Sequence, residues 1–294
     1  MLVNPHSAGG RTLKLLPEAE RELRARSIPY RVVRTRSLDH GIGEAQRAAE
    51  AGEVPVVMSG DGLVGQVGGA LAESDATMGI IPGGRGNDLA RVLGIPADPA
   101  GAVAVLADGD TKRIDVGVAN GRRFLGVASC GFDSDANRIA NEARLIRGNL
   151  VYAYAAIRAL IAWHPAMFTL ILDGGDPISY RGYSVAAGNS RAFGGGMFIA
   201  PHAELDDGLL DVVTVSDVGK LRYIRGLPKA FQGTHLDNDE VTERRAATVE
   251  IRADRDFAVF ADGEHLTDLP ATVSVLPEAL RVIAPPGPLV GPPS

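Results

Sequence analysis

Residues 58–71, MSGDGLVGQVGGAL, place a carboxylate between two glycines at the end of a short apolar run. From Gly60 to Gly65 the glycines have the spacing G-x-G-x-x-G, which in dinucleotide-binding folds brings backbone amides against a pyrophosphate. A dinucleotide is disfavoured, because the next apolar run ends at Pro82 without an acidic residue to bind a ribose. The Asp61 carboxylate would also repel bare phosphates. The stretch therefore favours a nucleotide whose phosphates carry magnesium.

Two further glycine-containing turns have the same setting. NPHSAGG (residues 4–10) and PGGRGND (residues 82–88) each follow a predicted strand and precede a predicted helix. Glycine lets the backbone approach a phosphate closely, and a helix N-terminus binds anions. One such turn is commonly structural, but three at the same end of one sheet would converge on a single polyanion. The three turns together predict a nucleotide-phosphate site.

The elements that must position these turns alternate between strands and helices over the first third of the chain. Apolar runs at residues 2–3, 30–35, 54–58 and 77–81 predict strands, and helical patterns separate them. The predicted helices cover residues 11–26, about 40–51 and a stretch ending at Leu71, with a short fourth helix ending at Gly94. This alternation predicts an α/β fold with a doubly wound, mostly parallel sheet and ligands at the carboxyl ends of its strands.

Beyond residue 110 closely spaced strand patterns predict a C-terminal β-rich, antiparallel and sandwich-like domain. Two helical stretches, near residues 134–163 and 217–232, interrupt those strands. We expect an α/β nucleotide-binding domain at residues 1–115 and a β-rich domain at residues 116–277. Residues 287–294 are expected to form a disordered tail.

Composition excludes several classes of protein. The net charge of −6 argues against a nucleic-acid partner, which usually meets a basic face. Cys130 is the single cysteine, so no disulfide can form within the chain, and the six histidines lack zinc-site spacing. Neither a leader nor an apolar run of about 18 residues is present, which predicts a cytoplasmic protein. Residues 220–231 are basic and amphipathic, which leaves peripheral contact with an anionic bilayer open beside an ordinary solvated surface.

The motifs together resemble a known family. VNPHSAGG, MSGDGLVGQVGGAL and GIIPGGRGNDLAR stand in the order and approximate spacing of the diacylglycerol kinase and sphingosine kinase catalytic family, which includes bacterial lipid kinases. Further along the chain, AAGNSRAFGGGMFIAPHAELDDGLLDVV and ADGEHL resemble that family's glycine-rich and acidic segments. The resemblance covers essentially the whole chain.

The resemblance implies a two-domain kinase that uses ATP and Mg²⁺. It implies that the domain at residues 116–277 receives the lipid substrate and the metal, and that a segment near residues 278–286 returns to the first domain. It assigns nucleotide binding to Asn4, Ser7, Gly9, Gly10, Thr35, Ser59, Gly60, Asp61, Gly62, Gly86, Asn87 and Asp88. It also implies a magnesium ion held by Asp207 with the backbone carbonyls of Glu204 and Leu209. The catalytic base would be Asp262 or Glu264, although the residues of ADGE alone favour a hairpin turn.

Some positions depart from the family pattern. Where the second motif usually begins Gly-Gly-Asp-Gly-Thr, this chain has Ser59 and Leu63 at the two ends. Gly65-Gln66 replaces the common Asn-Glu, which removes a carboxylate, and Arg85 places a cation where a threonine hydroxyl is common.

The function that these features predict is transfer of the γ-phosphate of ATP to the hydroxyl of a diacylglycerol-like or sphingoid lipid. A protein of this kind would work at a membrane surface without spanning it, and the sequence is compatible with a homodimer. Two alternatives stay open. One is a small-molecule kinase resembling NAD kinase, and the other is a catalytically silent protein that binds nucleotide or lipid.

Overall fold

The computed structural model describes residues 1–132 and 163–289. Its N-terminal part alternates strands with helices, as the sequence predicts. In chain order they are β1 (Leu2–Val3), α1 (Arg11–Ala25), β2 (Val33–Arg34), α2 (Leu38–Glu50), β3 (Val56–Ser59), α3 (Asp61–Leu71), β4 (Thr77–Pro82), α4 (Asp88–Val92) and α5 (Pro99–Asp108). The strands pair in parallel in the order β2-β1-β3-β4, so their carboxyl ends lie along one edge.

The helices of this part begin where local chemistry favours a start. The Ser37 hydroxyl accepts the N–H of His40 at 3.1 Å at the start of α2. At the start of α5 the Asp98 carboxylate accepts the N–H of Gly101 at 2.7 Å, and Pro99 occupies the first helical position. Their apolar faces cover the sheet and form one buried cluster with β1, β3 and β4. The sequence had not predicted α5.

The C-terminal part is antiparallel and rich in strands. It contains β5 (Asp110–Ala119), β6 (Arg122–Phe124), β7 (Val127–Gly131), β8 (Ala166–Leu172), β9 (Ile178–Gly188), β10 (Ala192–Phe193), β11 (Met197–Phe198), β12 (Leu210–Ser216), α6 (Lys220–Ala230), β13 (Val241–Ala246), β14 (Thr248–Ala253), β15 (Ala258–Ala261), β16 (Glu264–Asp268) and β17 (Ala271–Ala284). The main ladder runs β16-β15-β7-β9-β8-β14-β17, and β12 and β13 extend from β9. The predicted fold class is confirmed.

Strand β17 joins the two parts. Its first half pairs with β14, and further along Arg281 and Val282 pair in parallel with Thr77 and Met78 of β4. Between the two halves the ladder with β5 is irregular, and Glu278 has a φ of +50°. Each part has its own buried apolar cluster, but the hydrogen-bonded ladder passes continuously from one to the other. The two units therefore share one extended sheet.

The helical stretch expected near residues 217–232 is present as α6. The stretch expected near residues 134–163 lies outside the described residues, except for its last residue, and so do residues 290–294 of the expected tail. Within residues 1–132 and 163–289, every helix is too short or too polar to cross a bilayer.

Candidate active site

The three glycine turns meet at the carboxyl edge of the parallel sheet. We call them the first loop (residues 4–10), the second loop (residues 59–62) and the third loop (residues 82–88). A methyl group built on Gly60 would lie 3.0 Å from the Cα of Gly84, so the second and third loops touch through their backbones. The first loop reaches the third through the Ser7 hydroxyl, which donates to the carbonyl of Gly83 at 3.5 Å. The structure thus brings the three predicted loops together.

Other residues predicted to bind nucleotide lie in or beside these loops. Gly9 and Gly10 have φ values of +67° and +88° and lead the first loop into α1. The Asn4 carboxamide oxygen accepts a backbone N–H within the same loop at 3.0 Å. Thr35 is buried after β2 and donates its hydroxyl to a β1 carbonyl at 3.4 Å, while Ser59 is buried at the end of β3.

Asp61 organises the third loop. One carboxylate oxygen accepts the N–H of Asn87 at 2.8 Å, and the other accepts the N–H of Asp88 at 2.5 Å. The carboxylate therefore sits at the N-terminus of α4, where backbone donors and the helix dipole favour an anion. Gly86 has no room for a side chain, because a methyl group there would lie 2.7 Å from Asp61 Oδ2. The sequence predicted that the Asp61 carboxylate faces magnesium. In this structure the carboxylate accepts hydrogen bonds from two backbone N–H groups.

The C-terminal part meets the loops at Asp88. Asp88 Oδ2 accepts the N–H of Gly195 at 2.9 Å, and Gly195 has a φ of +91°, which favours glycine. The other oxygen, Oδ1, is buried and has no hydrogen-bond partner among the described residues. Burial raises the pKa of Asp88, and the nearby Asp61 charge raises it further. The sequence had marked the glycine-rich segment but not this contact.

Asp262 approaches the same place from the turn between β15 and β16. Its carboxylate accepts the N–H of Leu125 at 2.9 Å and that of Gly126 at 3.0 Å. The carboxyl group also packs against α3, where a methyl group built on Gly65 would lie 2.6 Å from Asp262 Oδ2. Burial raises the pKa of Asp262 to about 6. The charges of Asp61 and Asp88 also raise this pKa, whereas the two N–H donors lower it.

Glu264, the other candidate base, is placed differently. It begins β16, where its side chain is exposed. Its Oε1 lies 3.8 Å from the position that a methyl group on Gly62 would occupy, so it is also close to the second loop. The structure therefore brings both carboxylates of ADGE to the loops, but among the described residues backbone N–H groups hold only that of Asp262.

A buried amide that the sequence did not mark supports Asp262. Asn189 is fully buried, and its Nδ2 donates to the carbonyls of Asp115 at 3.1 Å and Leu125 at 3.0 Å. Its own backbone N–H donates to the carbonyl of Gly126 at 3.0 Å. Asn189 thus fixes the backbone of Leu125 and Gly126, whose N–H groups hold the Asp262 carboxylate. An asparagine beside a glycine-rich segment was the available signal.

The predicted metal segment, residues 204–209, is held mainly by protein groups. The Asp207 carboxylate forms an ion pair with Arg245 and accepts the N–H of Leu209 at 3.0 Å. The N–H of Gly208 donates to Asp115, another residue that the sequence did not mark, at 2.7 Å. Glu204 is exposed. Over the described ranges, no group of three or more His, Cys, Asp or Glu side chains is arranged to hold a metal. Metal binding through Asp207 and the carbonyls of Glu204 and Leu209 stays a prediction.

Solved structures share this architecture. A diacylglycerol kinase crystal structure from Bacillus anthracis superposes with a TM-score of 0.79 at 25% identity, covering 97% of this chain and 96% of that one. An NAD kinase from Archaeoglobus fulgidus, crystallised in complex with ATP, has a TM-score of 0.53 at 11% identity. The match covers 97% of this chain and 93% of that one. The second likeness shows a shared fold alone.

Two family models match the chain. The diacylglycerol kinase catalytic domain matches residues 1–119, and the YegS C-terminal NAD kinase beta sandwich-like domain matches residues 126–284. A diacylglycerol kinase from Mycobacterium tuberculosis is 36% identical over 291 residues, covering 97% of this chain and 94% of that protein. A relative from Pseudomonas aeruginosa with the name "Probable lipid kinase YegS-like" is 34% identical over 259 residues. The match covers 83% of this chain and 82% of that protein.

The two-domain architecture with its converging glycine loops is thus that of a kinase. More narrowly, the chain belongs to the diacylglycerol kinase family. The predicted resemblance and the prediction of an enzyme of this kind are confirmed.

Proposed function

We propose that this enzyme transfers the γ-phosphate of ATP to the hydroxyl of a diacylglycerol-like lipid. The observation that carries the proposal is the position of the Asp262 carboxyl group, which abuts α3 beside the three converging loops. The names of the relatives favour diacylglycerol over a sphingoid base as the acceptor class.

The loops are suited to polyphosphate. The second loop leads directly into the N-terminus of α3, and the first loop leads into α1, so free backbone N–H groups of two helices point toward the same edge. Asp61 holds the third loop against the second, which fixes the spacing of these donors before a ligand arrives. In phosphoryl transfer such preorganised donors stabilise charge on the transferring group.

The residues around the loops also fit magnesium bound together with phosphate. Asp88 Oδ1 is a buried carboxylate oxygen without a hydrogen-bond partner among the described residues, and its neighbours Asp61 and Asp262 add negative charge. Mg²⁺ in kinases is commonly held by one or two carboxylates, waters and substrate phosphates rather than by a cage of side chains. When bound, the ion would neutralise charge on the phosphates. We assign Asp88 as its candidate protein ligand.

Asp262 is the proposed general base. With a pKa of about 6, its carboxyl group is ionised at neutral pH yet basic enough to accept the proton of a lipid hydroxyl. The N–H groups of Leu125 and Gly126 hold the carboxylate in one orientation, so the proposed base is positioned before a substrate binds.

Labelled ATP offered with diacylglycerol in mixed micelles, and separately with NAD, tests the proposal. We expect label in the lipid, dependent on magnesium, and none in NAD. Label in NAD would favour the small-molecule kinase alternative. Binding of ATP without transfer to any lipid of a total membrane extract would favour the silent alternative.

A further inference from the structure

Helix α6 presents an apolar face to solvent. Leu221 is 71% exposed, Ile224 is 44% exposed, and Phe231, immediately after the helix, is 55% exposed. Their spacing of three and seven residues places them on the same side of the helix. Large apolar side chains scattered singly are ordinary at protein surfaces, but three that share one helical face form a patch.

This face is not the one that packs against the protein. Tyr223 and Ala230 are the buried residues of α6, and Tyr223 stacks on Tyr183 with ring centroids 4.2 Å apart. The Tyr183 hydroxyl in turn donates to the carbonyl of Val218, just before the helix, at 2.8 Å. The helix is therefore fixed to the C-terminal β-rich part by one side, and its opposite side carries the exposed apolar residues.

The charges around the patch favour an anionic surface. Residues 220–231, KLRYIRGLPKAF, contain four Lys or Arg and no Asp or Glu, although the chain carries a net charge of −6. Arg222 pairs with Glu240, and Lys229 donates to the carboxamide of Asn238. Arg225 is exposed beside Leu221 and has no ion pair or hydrogen bond with a described residue. Its charge is available to a ligand at the patch.

The size of the patch favours a bilayer over a second protein. Large apolar side chains each carry on the order of 150–250 Å² when fully exposed, so these three expose roughly 300 Å². A stable protein interface needs about 800 Å² from each partner. An apolar helix face flanked by basic residues that buries its side chains about 5–10 Å into a bilayer needs no such area.

We propose that the exposed face of α6, formed by Leu221, Ile224 and Phe231 with Arg225 at its flank, docks on the interfacial region of an anionic bilayer. Docking there would bring the enzyme to the surface from which a lipid substrate is taken; this second statement rests on the proposed function. The apolar side chains would insert into the bilayer interface, and the Arg225 guanidinium would be attracted to anionic headgroups.

Flotation with vesicles of phosphatidylcholine containing phosphatidylglycerol tests the docking surface without any assay of activity. Leu221→Glu and Ile224→Glu should each weaken vesicle binding about tenfold or more, because each replaces an inserted apolar side chain by a charge. Val54→Glu is the matched control. Val54 is 47% exposed, and it precedes β3 at the edge of the sheet opposite the loops. Equal flotation of the wild type and the two α6 variants would overturn the proposal.

Arg225→Glu separates attraction from insertion. We expect about fivefold weaker binding to vesicles with phosphatidylglycerol and no change on pure phosphatidylcholine. If Leu221→Glu instead converts a dimer to a monomer in light scattering and leaves flotation unchanged, the patch is an interface between two copies and the bilayer proposal is wrong.

Activity measurements keep this proposal distinct from the proposed function. With a short-chain diacylglycerol dispersed in solution, the α6 variants should keep wild-type turnover, whereas with vesicle-embedded diacylglycerol they should lose about tenfold. Loss of turnover on both substrates would place α6 in the catalytic machinery and contradict a docking role. Absence of wild-type turnover on every lipid would defeat the proposed function while the flotation result still decides the docking surface.

Discussion

Asp262→Asn is the substitution that most directly probes the candidate site. If Asp262 is the general base, the variant should keep ATP affinity and lose about 10²- to 10⁴-fold in kcat, because its amide cannot accept the substrate proton. The wild-type enzyme should lose kcat/KM as the pH falls through about 6, where the Asp262 carboxylate becomes protonated. The residual activity of the variant should lack that limb of the pH profile.

The same substitution has a calculable effect on stability. Burial raises the pKa of Asp262 from 3.8 to about 6, so the fold is favoured by this group below pH 3.8 and loses that contribution as the pH rises through about 6. A rise of this size corresponds to at most about 3 kcal/mol at neutral pH. The stability of Asp262→Asn relative to the wild type should therefore improve by up to about 3 kcal/mol between pH 4 and pH 8.

Steady-state kinetics and urea unfolding at both pH values measure these effects, with Glu264→Gln as the matched control. Because the Glu264 side chain is exposed, its substitution should change neither the pH profile nor the stability. A large kcat loss in Glu264→Gln, together with full activity in Asp262→Asn, would transfer the role of base to Glu264. Full activity in both variants would show that ADGE is only a turn.

Three further substitutions probe the groups around the site. Asp61→Asn removes one of two acceptors at the N-terminus of α4 and should lower the free energy of unfolding by about 1–3 kcal/mol. It should also weaken ATP binding about tenfold in calorimetry. Asp39 is exposed, so Asp39→Asn should change neither quantity. Gly65→Ala places a methyl group 2.6 Å from Asp262 Oδ2 and should lower kcat about 10²-fold with ATP affinity kept. Gly43→Ala on α2 has room and should stay active, so equal kcat in both glycine variants would refute this packing role. Asn189→Ala leaves two buried carbonyls unpaired and should lower the free energy of unfolding by about 1–3 kcal/mol in urea; an unchanged value would show that Asn189 does not support the site.

Local patterns were sufficient to predict the order of elements around the site. Helix α3 begins at Asp61, within the predicted motif, and Gly60 before it leaves room for the backbone of Gly84 in the third loop. Helix α5 was missed, although Asp98 followed by Pro99 is a sequence signal for a helix start. Its Ala- and Val-rich face lacks the polar contrast that makes a period of 3.6 residues visible.

Contacts between distant residues distinguish two candidates that the sequence left equal. The choice between Asp262 and Glu264 depends on N–H donors at Leu125 and Gly126, which lie 137 and 136 residues away in the chain. Gly65, a departure from the usual family residue, is explained by the carboxyl group that packs against it. No local pattern contains that information, because pairing across the sheet places these groups together.

The most direct test of the account follows the label of [γ-³²P]ATP in the presence of Mg²⁺ and diacylglycerol micelles, with the wild type and Asp262→Asn compared at equal ATP occupancy. We expect a labelled phosphorylated diacylglycerol from the wild type and about 10²-fold or more slower labelling by the variant. Label transfer at the same rate by both proteins, or ATP binding by the wild type with no labelled lipid, would contradict it.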